Sequence, residues 1–382
     1  MSRTVAVVTG TRAEYGLLRG TMERIEAHAD LELQVVVTGM HLSPRHGRTV
    51  TEIADDGFDI DRRVHMQVDG DSGRAMAKSL GVGLSGMADA LGDLAPDLVV
   101  VLGDRDEALV GGVAAAHMNV PVAHVHGGDA MEGAIIDDSI RHALTKFAHV
   151  HFPVSEQSAE RIAKLGEEPW RITTVGAPGL DEIREASVTP PATLAERYGI
   201  DVAAPLLLTV QHPVTTSPAR AGEQMRATLD AVAAHDATSV VIYPNADAGS
   251  ERMIAAIEGH EGDHVTFESL PRADYLGLLD QASALVGNSS SGIIEAPSFG
   301  LPVVDVGPRQ AGRQRADNTL SVAHETDAIE DAIDRCLTDE GFRERARNCD
   351  NPYDYGGAAE RIVSRLAAVD LTDELIEKRL TY

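Results

Sequence analysis

Short runs of β-branched and other apolar residues recur along the chain and alternate with longer amphipathic stretches. In the first half of the chain these runs predict strands at residues 4–9, 33–38, 98–102, 122–126, 149–154 and 171–175. In the second half they predict strands at residues 206–210, 239–243, 264–267, 284–286 and 303–306. Strands that alternate with amphipathic helices form parallel sheets, so we expect an α/β protein.

This alternation is interrupted within residues 186–191 by the stiff segment Ser-Val-Thr-Pro-Pro, which is typical of a linker. The length of 382 residues also suits two domains. We therefore predict two Rossmann-like, doubly wound domains, one over residues 1–185 and one over residues 186–356. We expect residues 357–382, which begin with a helical stretch, to pack back on the first domain. Ligands of such sheets bind beyond the carboxyl ends of the strands, and two facing sheets form a cleft.

The charge balance changes the range of expected partners. The chain has 33 Lys+Arg against 60 Asp+Glu, a net charge of −27, and only four of the cations are Lys. Nucleic acids and anionic lipid headgroups need a basic surface, so we expect neither as a partner. An acidic chain with few lysines and 4% aromatic residues resembles proteins of a salt-rich cytoplasm.

Cysteines and hydropathy exclude further classes. Cys336 and Cys349 are the two cysteines, which argues against a disulfide scaffold or a cysteine-based zinc site. The amino terminus runs directly into a short apolar strand, and no apolar run reaches the roughly 18 residues of a membrane span. We therefore expect a soluble cytoplasmic protein.

Two polar segments follow predicted strands near the start of the chain. Thr9-Gly10-Thr11-Arg12 lies where a helix begins, so Arg12 is a candidate phosphate ligand; the alternative is an ion pair with Glu14 or a neighbour. Asp104 follows the strand at 98–102 and is a candidate proton-transfer group, with Arg105 beside it as a candidate substrate ligand. The alternative for Asp104 is a simple helix cap.

The next strand ends in His124-Val125-His126-Gly127-Gly128-Asp129, and Asp137-Asp138 then opens a helix. Carboxylates and imidazoles at adjacent strand ends provide the general acid and base that a proton-transfer enzyme needs. They could also hold a divalent metal, but no histidine or cysteine ligand spacing there supports this, so we predict no metal.

In the second half, His212 follows a predicted buried strand, with Thr215 and Thr216 close behind it. A structural role is the alternative for such a lone histidine. The strongest anion-binding pattern runs from the strand at 284–286 through small polar residues into a helix, where free N–H groups and the helix dipole point at one place. Its candidate ligands are Asn288, Ser289, Ser290, Gly292 and Glu295, whose carboxylate suits a ribose diol; the alternative is an elaborate helix cap.

Arg309 and Arg313 follow the strand at 303–306 and are four residues apart, so both suit a pyrophosphate. The alternative is a solvated loop.

Taken in order, eight segments resemble the hydrolysing UDP-N-acetylglucosamine 2-epimerases. They are GTRAEYG, TGMHLSPRHGRTVTEI, GDRDEAL, HVHGGD, DDSIRHALTK, QHPVTT, PNADAGS and GNSSSGIIEAPSFGLPV, between about residues 9 and 315. The resemblance implies a glycosyltransferase-B-like pair of domains and a homodimer. It also implies conversion of UDP-N-acetylglucosamine and water to N-acetylmannosamine and UDP, for sialic-type acid synthesis, with no cofactor.

The resemblance further implies elimination of UDP across C1–C2, followed by addition of water with inversion at C2. Asp104 and Asp137 match the acid/base carboxylates, and His212 matches a residue that contacts phosphate or shares in proton transfer. The positions matched to UDP ligands are Arg12, Ser289, Ser290, Glu295 and Arg313. Members of the family often carry Glu where this chain has His126, so His126, Asp129 or Glu132 is expected to take that role.

Four alternatives remain at this point. One is a hydrolysing epimerase of UDP-2,4-diacetamido-2,4,6-trideoxyglucose, used for legionaminic-type acids, and another is a non-hydrolysing epimerase. A third is a catalytically silent nucleotide-sugar sensor. The fourth is a retaining glycosyltransferase, whose Glu-x7-Glu signature would need a second Glu at position 287 or 303, where this chain has Gly287 and Val303.

Overall fold

The computed structural model describes residues 2–44, 47–70, 72–130, 136–185, 188–245 and 247–382. The chain forms two compact units. Unit 1 takes in Met1–Asp129, Ile136–Glu182 and Tyr353–Tyr382, and unit 2 is built on Ile183–Pro352. The carboxy-terminal segment therefore returns to the unit in which the chain begins.

Unit 1 is built around a six-stranded parallel sheet with the strand order β3-β2-β1-β4-β5-β6. Its strands are β1 (Arg3–Thr9), β2 (Leu31–Thr38), β3 (Arg62–Val64), β4 (Leu98–Leu102), β5 (Val122–Val125) and β6 (Val150–Phe152). The direction of winding reverses between β1 and β4, which pair in parallel from Val5 opposite Leu98. In open α/β sheets, this reversal point is where loops on the two sides diverge and leave a crevice for a ligand.

Unit 2 contains a second six-stranded parallel sheet, in the order β12-β11-β10-β7-β8-β9. Its strands are β7 (Leu206–Val210), β8 (Thr238–Ile242), β9 (His264–Phe267), β10 (Ala284–Gly287), β11 (Val303–Val306) and β12 (Thr319–Val322). Counted from β7, this is the same order as in unit 1, and the winding reverses between β7 and β10. The two units thus repeat one Rossmann-like topology, and the predicted fold class of two such domains is confirmed.

Helices connect the strands of both sheets. They are α1 (Arg12–Glu26), α2 (Val50–Asp55), α3 (Gly73–Leu94), α4 (Asp106–His117), α5 (Ile136–Phe147), α6 (Glu156–Lys164), α7 (Gly179–Glu185), α8 (Pro191–Tyr198), α9 (Ala221–Ala233), α10 (Ser250–Glu258), α11 (Arg272–Gln281), α12 (Ser290–Ile294), α13 (Thr326–Thr338), α14 (Glu340–Arg347), α15 (Ala358–Ala368) and α16 (Asp373–Ile376). Within the described ranges, none of these helices combines the length and apolar character needed to cross a bilayer.

The strand residues of unit 1 alternate between two apolar cores. Val5 and Val7 of β1 point to a core completed by α1, α15 and α16, whereas Ala6 and Val8 point to a core completed by α3, α4 and α5. Side chains of a strand alternate between its two faces, so a sheet covered on both sides reads as a continuous apolar run. This explains why the buried strands were predictable from local sequence.

Three differences from the predicted strands occur at sheet edges. The hydrophobic pattern does not predict β3 or β12, each of which is a short outermost strand with half-exposed positions. The predicted strand at residues 171–175 is wrong, because this segment makes only an isolated bridge between His151 and Ile172. Arg171 instead lies in a 3₁₀ turn, and its buried guanidinium donates to the carbonyls of Leu375 and Glu374.

The carboxy-terminal segment is fastened near the end of α5. Lys378 donates to the carbonyl of Lys146 (2.8 Å) and pairs with the buried Glu167 carboxylate (2.7 Å). Lys146 and His151 contact the same carboxylate, and these partners together lower the pKa of Glu167 to about 2 despite its burial. The returning segment therefore supports the helix that carries Asp137.

Candidate active site

The loop after β1 begins α1 with a capping box. Thr11 accepts from the backbone N–H of Glu14, and the Glu14 carboxylate accepts from the N–H groups of Gly10 (2.8 Å) and Thr11 (3.2 Å). Arg12 is the first residue of the helix, where an anion is favoured. Its Nε donates to Glu52 on α2 at 2.7 Å, so the cation is partnered by Glu52 rather than Glu14.

Two buried carboxyl groups, Glu14 and Glu107, lie where β1 and β4 end. The Glu107 side chain packs over the backbone of Gly10 and Gly39, and a Cβ at either glycine would collide with it. Burial and the nearby Glu107 charge raise the pKa of Glu14 to about 8. Arg105 lies beside Glu107, with Nε 3.3 Å from Oε2. Neither glutamate is among the site residues predicted from the sequence.

Asp104 follows β4 and forms an ion pair with the buried Arg141 of α5. The N-cap residue of α4 is Arg105, with no side-chain cap, so interpreting Asp104 as a helix cap is wrong. Arg141 also donates to the backbone carbonyl of His126 at 2.6 Å. One guanidinium therefore joins a candidate carboxylate to the neighbouring strand end.

Asp137 lies in the first turn of α5 and is buried, with Arg141 four residues further along the same helix. Residues four apart share a face of a helix. Asp137 therefore lies on the same face of α5 as Arg141, and Arg141 extends from this face to Asp104.

The two histidines at the end of β5 differ in environment. His124 is fully buried, its Nε2 lies 2.7 Å from the Gly103 carbonyl, and burial lowers its pKa to about 3, so it is a neutral donor to that carbonyl. His126 is buried in a left-handed backbone conformation, with φ of 62°. Asp129 is also buried, and Glu132 falls outside the described residues.

In unit 2, His212 follows β7 and is fixed by polar contacts. The side chain of Asn288 accepts from the His212 N–H (2.7 Å) and donates to its carbonyl (3.0 Å). The backbone N–H of Asn245 donates to His212 Nδ1 at 3.1 Å. An imidazole whose Nδ1 accepts carries its proton on Nε2 when neutral, so the Nε2 of a neutral His212 is a hydrogen-bond donor.

The loop after β10 turns sharply into α12. Gly287 has φ of 133° and passes so close to the Val210 carbonyl that a Cβ would collide with it. Ser289 is the N-cap residue and accepts from the backbone N–H of Ser291 (3.3 Å). Ser290 is therefore the first residue of α12 and lies at the end of the loop. Gly292 is buried, and a Cβ there would contact Val303 of β11 at 3.0 Å.

Glu295 is buried and forms the C-cap of this short helix instead of lying within it. Its Oε1 lies 2.5 Å from Arg272 of α11. Arg272, which is not among the site residues predicted from the sequence, thus holds the Glu295 carboxylate near Ser289–Ser291.

The arginines after β11 are buried, so their interpretation as a solvated loop is wrong. Gln310 links Arg313 to the loop after β10, because its Oε1 accepts from Arg313 (2.7 Å) while its Nε2 donates to the Asn288 carbonyl (2.7 Å). Arg309 lies 3.8 Å from Asp247. Nothing in the local sequence distinguishes Gln310 from a surface amide, which is why sequence reasoning missed it.

The predicted site residues therefore fall into two groups. Unit 1 brings Arg12, Asp104, Arg105, His126 and Asp137 to the carboxyl ends of its strands. Unit 2 does the same for His212, Asn288, Ser289, Ser290, Gly292, Glu295, Arg309 and Arg313. Among the histidine, cysteine and acidic residues of the described ranges, no group of three or more is arranged to hold a metal ion.

These features define the class: two Rossmann-like units, each with polar residues gathered where its sheet reverses direction. Structural comparison agrees, since UDP-GlcNAc 2-epimerase from Neisseria meningitidis superposes with a TM-score of 0.82 at 17% identity, covering 95% of this chain and 99% of that one. The family model for UDP-N-acetylglucosamine 2-epimerase matches residues 23–367. The chain belongs to the UDP-N-acetylglucosamine 2-epimerase family.

Curated relatives extend over most of the chain. The UDP-N,N'-diacetylbacillosamine 2-epimerase (hydrolyzing) of Legionella pneumophila is 35% identical and covers 100% of both chains. A UDP-N-acetylglucosamine 2-epimerase of Neisseria meningitidis is 33% identical over 88% of both chains. The GDP/UDP-N,N'-diacetylbacillosamine 2-epimerase (hydrolyzing) of Campylobacter jejuni is 33% identical, covering 83% of this chain and 84% of its own.

Proposed function

We propose that the protein converts a UDP-2-acetamido sugar and water to the free 2-epimeric sugar and UDP. The observation that carries this proposal is the chemical contrast between the two strand-end groups. Unit 1 offers the carboxylates Asp104 and Asp137, whereas unit 2 offers the donors His212 and Arg313. Proton transfer at carbon and departure of a diphosphate need these two kinds of group.

In this proposal unit 2 binds UDP. The Nε2–H of His212, the N–H groups that begin α12 and the Arg313 guanidinium take up the diphosphate charge, and Glu295 accepts from the ribose hydroxyls. Asn288 and Gln310 act as positioning residues, because their side-chain amides bind the protein itself. Stabilising UDP as a leaving group is essential, because the C2 proton of the sugar is only weakly acidic.

The reaction then takes place in two balanced steps. In the first, a carboxylate of unit 1 removes the C2 proton, the C–H electron pair forms a C1=C2 double bond, and the C1–O bond breaks to release UDP. In the second, water bonds through its oxygen to C1 as an acid of unit 1 delivers a proton to C2 on the opposite face, and the proton that water loses restores that acid. Asp104, ion-paired to Arg141, is our proton acceptor, and Asp137 with His126 supplies the second proton transfer.

Our first candidate substrate is UDP-N,N'-diacetylbacillosamine, because the Legionella pneumophila relative named for it matches from end to end. UDP-N-acetylglucosamine is the second candidate, favoured by the Neisseria meningitidis relative. Either free product would suit nonulosonic acid synthesis, and a further relative, at 31% identity, is named polysialic acid biosynthesis protein P7, from Escherichia coli.

The test supplies each UDP-sugar separately in D2O at low and high salt and follows UDP release and the sugar by NMR. We expect UDP and the free 2-epimer to accumulate together, with deuterium at C2. An equilibrium mixture of two UDP-sugars would instead show a non-hydrolysing epimerase. Binding of UDP with no turnover of either sugar would show a nucleotide-sugar sensor.

A further inference from the structure

The first turn of α11 reaches the Glu295 carboxylate directly through Arg272 and, by way of Ser291, through Tyr275. Arg272 lies 2.5 Å from Glu295 Oε1. Tyr275 donates its hydroxyl proton to Ser291 Oγ at 2.6 Å, and Ser291 Oγ donates to Glu295 Oε2 at 2.5 Å. Residues three apart lie on one face of a helix, so Arg272 and Tyr275 approach the carboxylate from the same side. Both carboxylate oxygens are therefore held in place.

Glu295 has a fixed backbone, because its N–H donates to the Ser291 carbonyl (2.9 Å) and its carbonyl accepts from the Ser298 N–H (2.9 Å). It lies at the C-cap of α12, a helix of only five residues, and a 3₁₀ turn containing Pro297 follows immediately. The backbone contacts leave the side-chain rotamer of Glu295 to be set by other groups. Ser291 of α12 and Arg272 of α11 contact the carboxylate directly. Tyr275 of α11 fixes the Ser291 hydroxyl, so α11 helps to orient the carboxylate both directly and through Ser291.

The start of α11 is itself anchored on another side. Asp274 is buried and accepts from Thr189 Oγ1 (2.6 Å), from Arg197 (2.6 Å) and from the Tyr198 hydroxyl. These partners belong to α8 and the segment before it. Asp274 therefore anchors the first turn of α11. From this turn Arg272 contacts Glu295 and Tyr275 contacts Ser291.

The direction of the hydrogen bonds determines what this carboxylate can recognise. Burial raises the pKa of the Tyr275 hydroxyl, so this hydroxyl stays protonated and donates. Ser291 has one hydroxyl proton and donates it to Glu295. Glu295, paired with Arg272, is an acceptor whose remaining lone pairs suit hydroxyl donors. A pair of adjacent hydroxyls is the ligand that matches two neighbouring acceptor oxygens.

We propose that Arg272 and Tyr275 are positioning residues that orient Glu295 toward both ribose hydroxyls, so that the protein selects ribonucleotides over deoxyribonucleotides. The proposal rests on UDP binding at this loop, as stated above. It assigns the discrimination to α11, outside the segments that contact the diphosphate. Loss of either contact should therefore weaken recognition of the ribose and spare recognition of the phosphates.

The test measures, by calorimetry, the dissociation constants of UDP, 2′-deoxy-UDP and inorganic pyrophosphate. We expect the wild type to bind UDP about tenfold more tightly than 2′-deoxy-UDP, the value of one hydrogen bond to a charged group. Tyr275→Phe and Arg272→Gln should reduce that ratio to about threefold or less, and Arg272→Lys should restore part of it. Arg335→Gln, an exposed change in the last turn of α13 of the same unit, should keep the wild-type ratio.

A Glu295→Gln background sharpens the test. If Arg272 acts through Glu295, adding Arg272→Gln to Glu295→Gln should leave the UDP to 2′-deoxy-UDP ratio unchanged. Equal binding of the two nucleotides by the wild type would overturn the proposal, and so would a full ratio in both single variants. A parallel loss of pyrophosphate affinity and melting temperature would overturn it too, because that pattern indicates a structural role alone.

These outcomes are distinguishable from failure of the proposed function. Ribose discrimination that depends on α11, in a protein that releases no UDP from either sugar, would reject the catalytic proposal and support this one. Absence of UDP binding would reject both.

Discussion

The two units repeat one sheet topology, yet they place side chains of opposite character at the points where their sheets reverse direction. Unit 1 gathers carboxyl groups there, namely Asp104, Glu14 and Glu107, and keeps them in place with a few arginines. Unit 2 gathers donors, namely His212 and Arg313, and holds them with the neutral amides Asn288 and Gln310. In the function proposed above, the same fold therefore serves proton transfer where buried acids follow its strands and anion binding where amide-supported donors follow them.

The largest effect should come from Asp104→Asn, which removes the proposed base from unit 1. We expect kcat to fall by about 10²–10⁴-fold, the usual contribution of a general base. UDP affinity should stay within about twofold, because the change removes an interaction of the transition state. Asp93→Asn, an exposed position of the same unit, is the matched control. A parallel loss of UDP affinity would contradict the assignment of binding to unit 2.

The next effect concerns the buried Glu14 carboxyl and the dependence of stability on pH. The ordinary value for Glu is 4.5 and the folded value is about 8, so between these pH values the unfolded chain releases a proton that the folded chain keeps. Folding stability should therefore fall as the pH rises from 4.5 to about 8, by several kcal/mol.

Glu14→Gln should remove that dependence, because glutamine resembles the protonated acid and still completes the capping box. Thermal melts of wild type and variant across this pH range make the comparison, with the exposed Glu23→Gln of the same helix as control. Parallel melting curves for wild type and Glu14→Gln would show that Glu14 is ionised throughout.

A smaller effect is expected from Gln310→Ala in unit 2. It removes the acceptor for Arg313 and leaves the Asn288 carbonyl without this donor, so the dissociation constant for UDP should rise about tenfold. Calorimetry compares it with Gln281→Ala, whose side chain makes an exposed bond to Asp280. Unchanged affinity would mean that the arginine holds its position without the amide.

The smallest effect should follow Glu52→Gln, which weakens the ion pair to Arg12. This pair is partly exposed, and such pairs contribute about 1 kcal/mol or less. The family resemblance matches Arg12 to a UDP ligand, so an Arg12 guanidinium released from Glu52 should increase UDP affinity, by about twofold. Titration of UDP at low and high salt measures it, and weaker binding would show that Glu52 positions Arg12 for its ligand.

The contrast between the units was partly predictable from the sequence. Apolar strands ending in Gly-Asp or Gly-Asn-Ser identify the sheet and the loops at its edge, because strand burial and turn chemistry are local properties. The predicted fold class follows from these features. Edge strands such as β3 and β12 escape the same reasoning, because half-exposed short strands lack the continuous apolar pattern.

What local patterns do not reveal is the partner of each polar side chain. Asp104 meets Arg141, 37 residues away, so local sequence left helix capping open as the alternative to its predicted proton-transfer role. Arg171 meets carbonyls more than 200 residues away, which is why it was predicted as part of a strand. Gln310 and Glu14 were missed for the same reason. Their importance depends on burial and on neighbours that only the folded chain supplies.

His126 carries one further consequence. The backbone of His126 has φ of 62°, which glycine adopts freely. A residue with a side chain in this conformation lowers folding stability by about 1 kcal/mol relative to glycine. A library randomised at this codon and selected for heat resistance should therefore enrich glycine and asparagine, whereas selection for turnover should retain histidine. Enrichment of different residues by the two selections would show that position 126 balances thermal stability against catalytic activity.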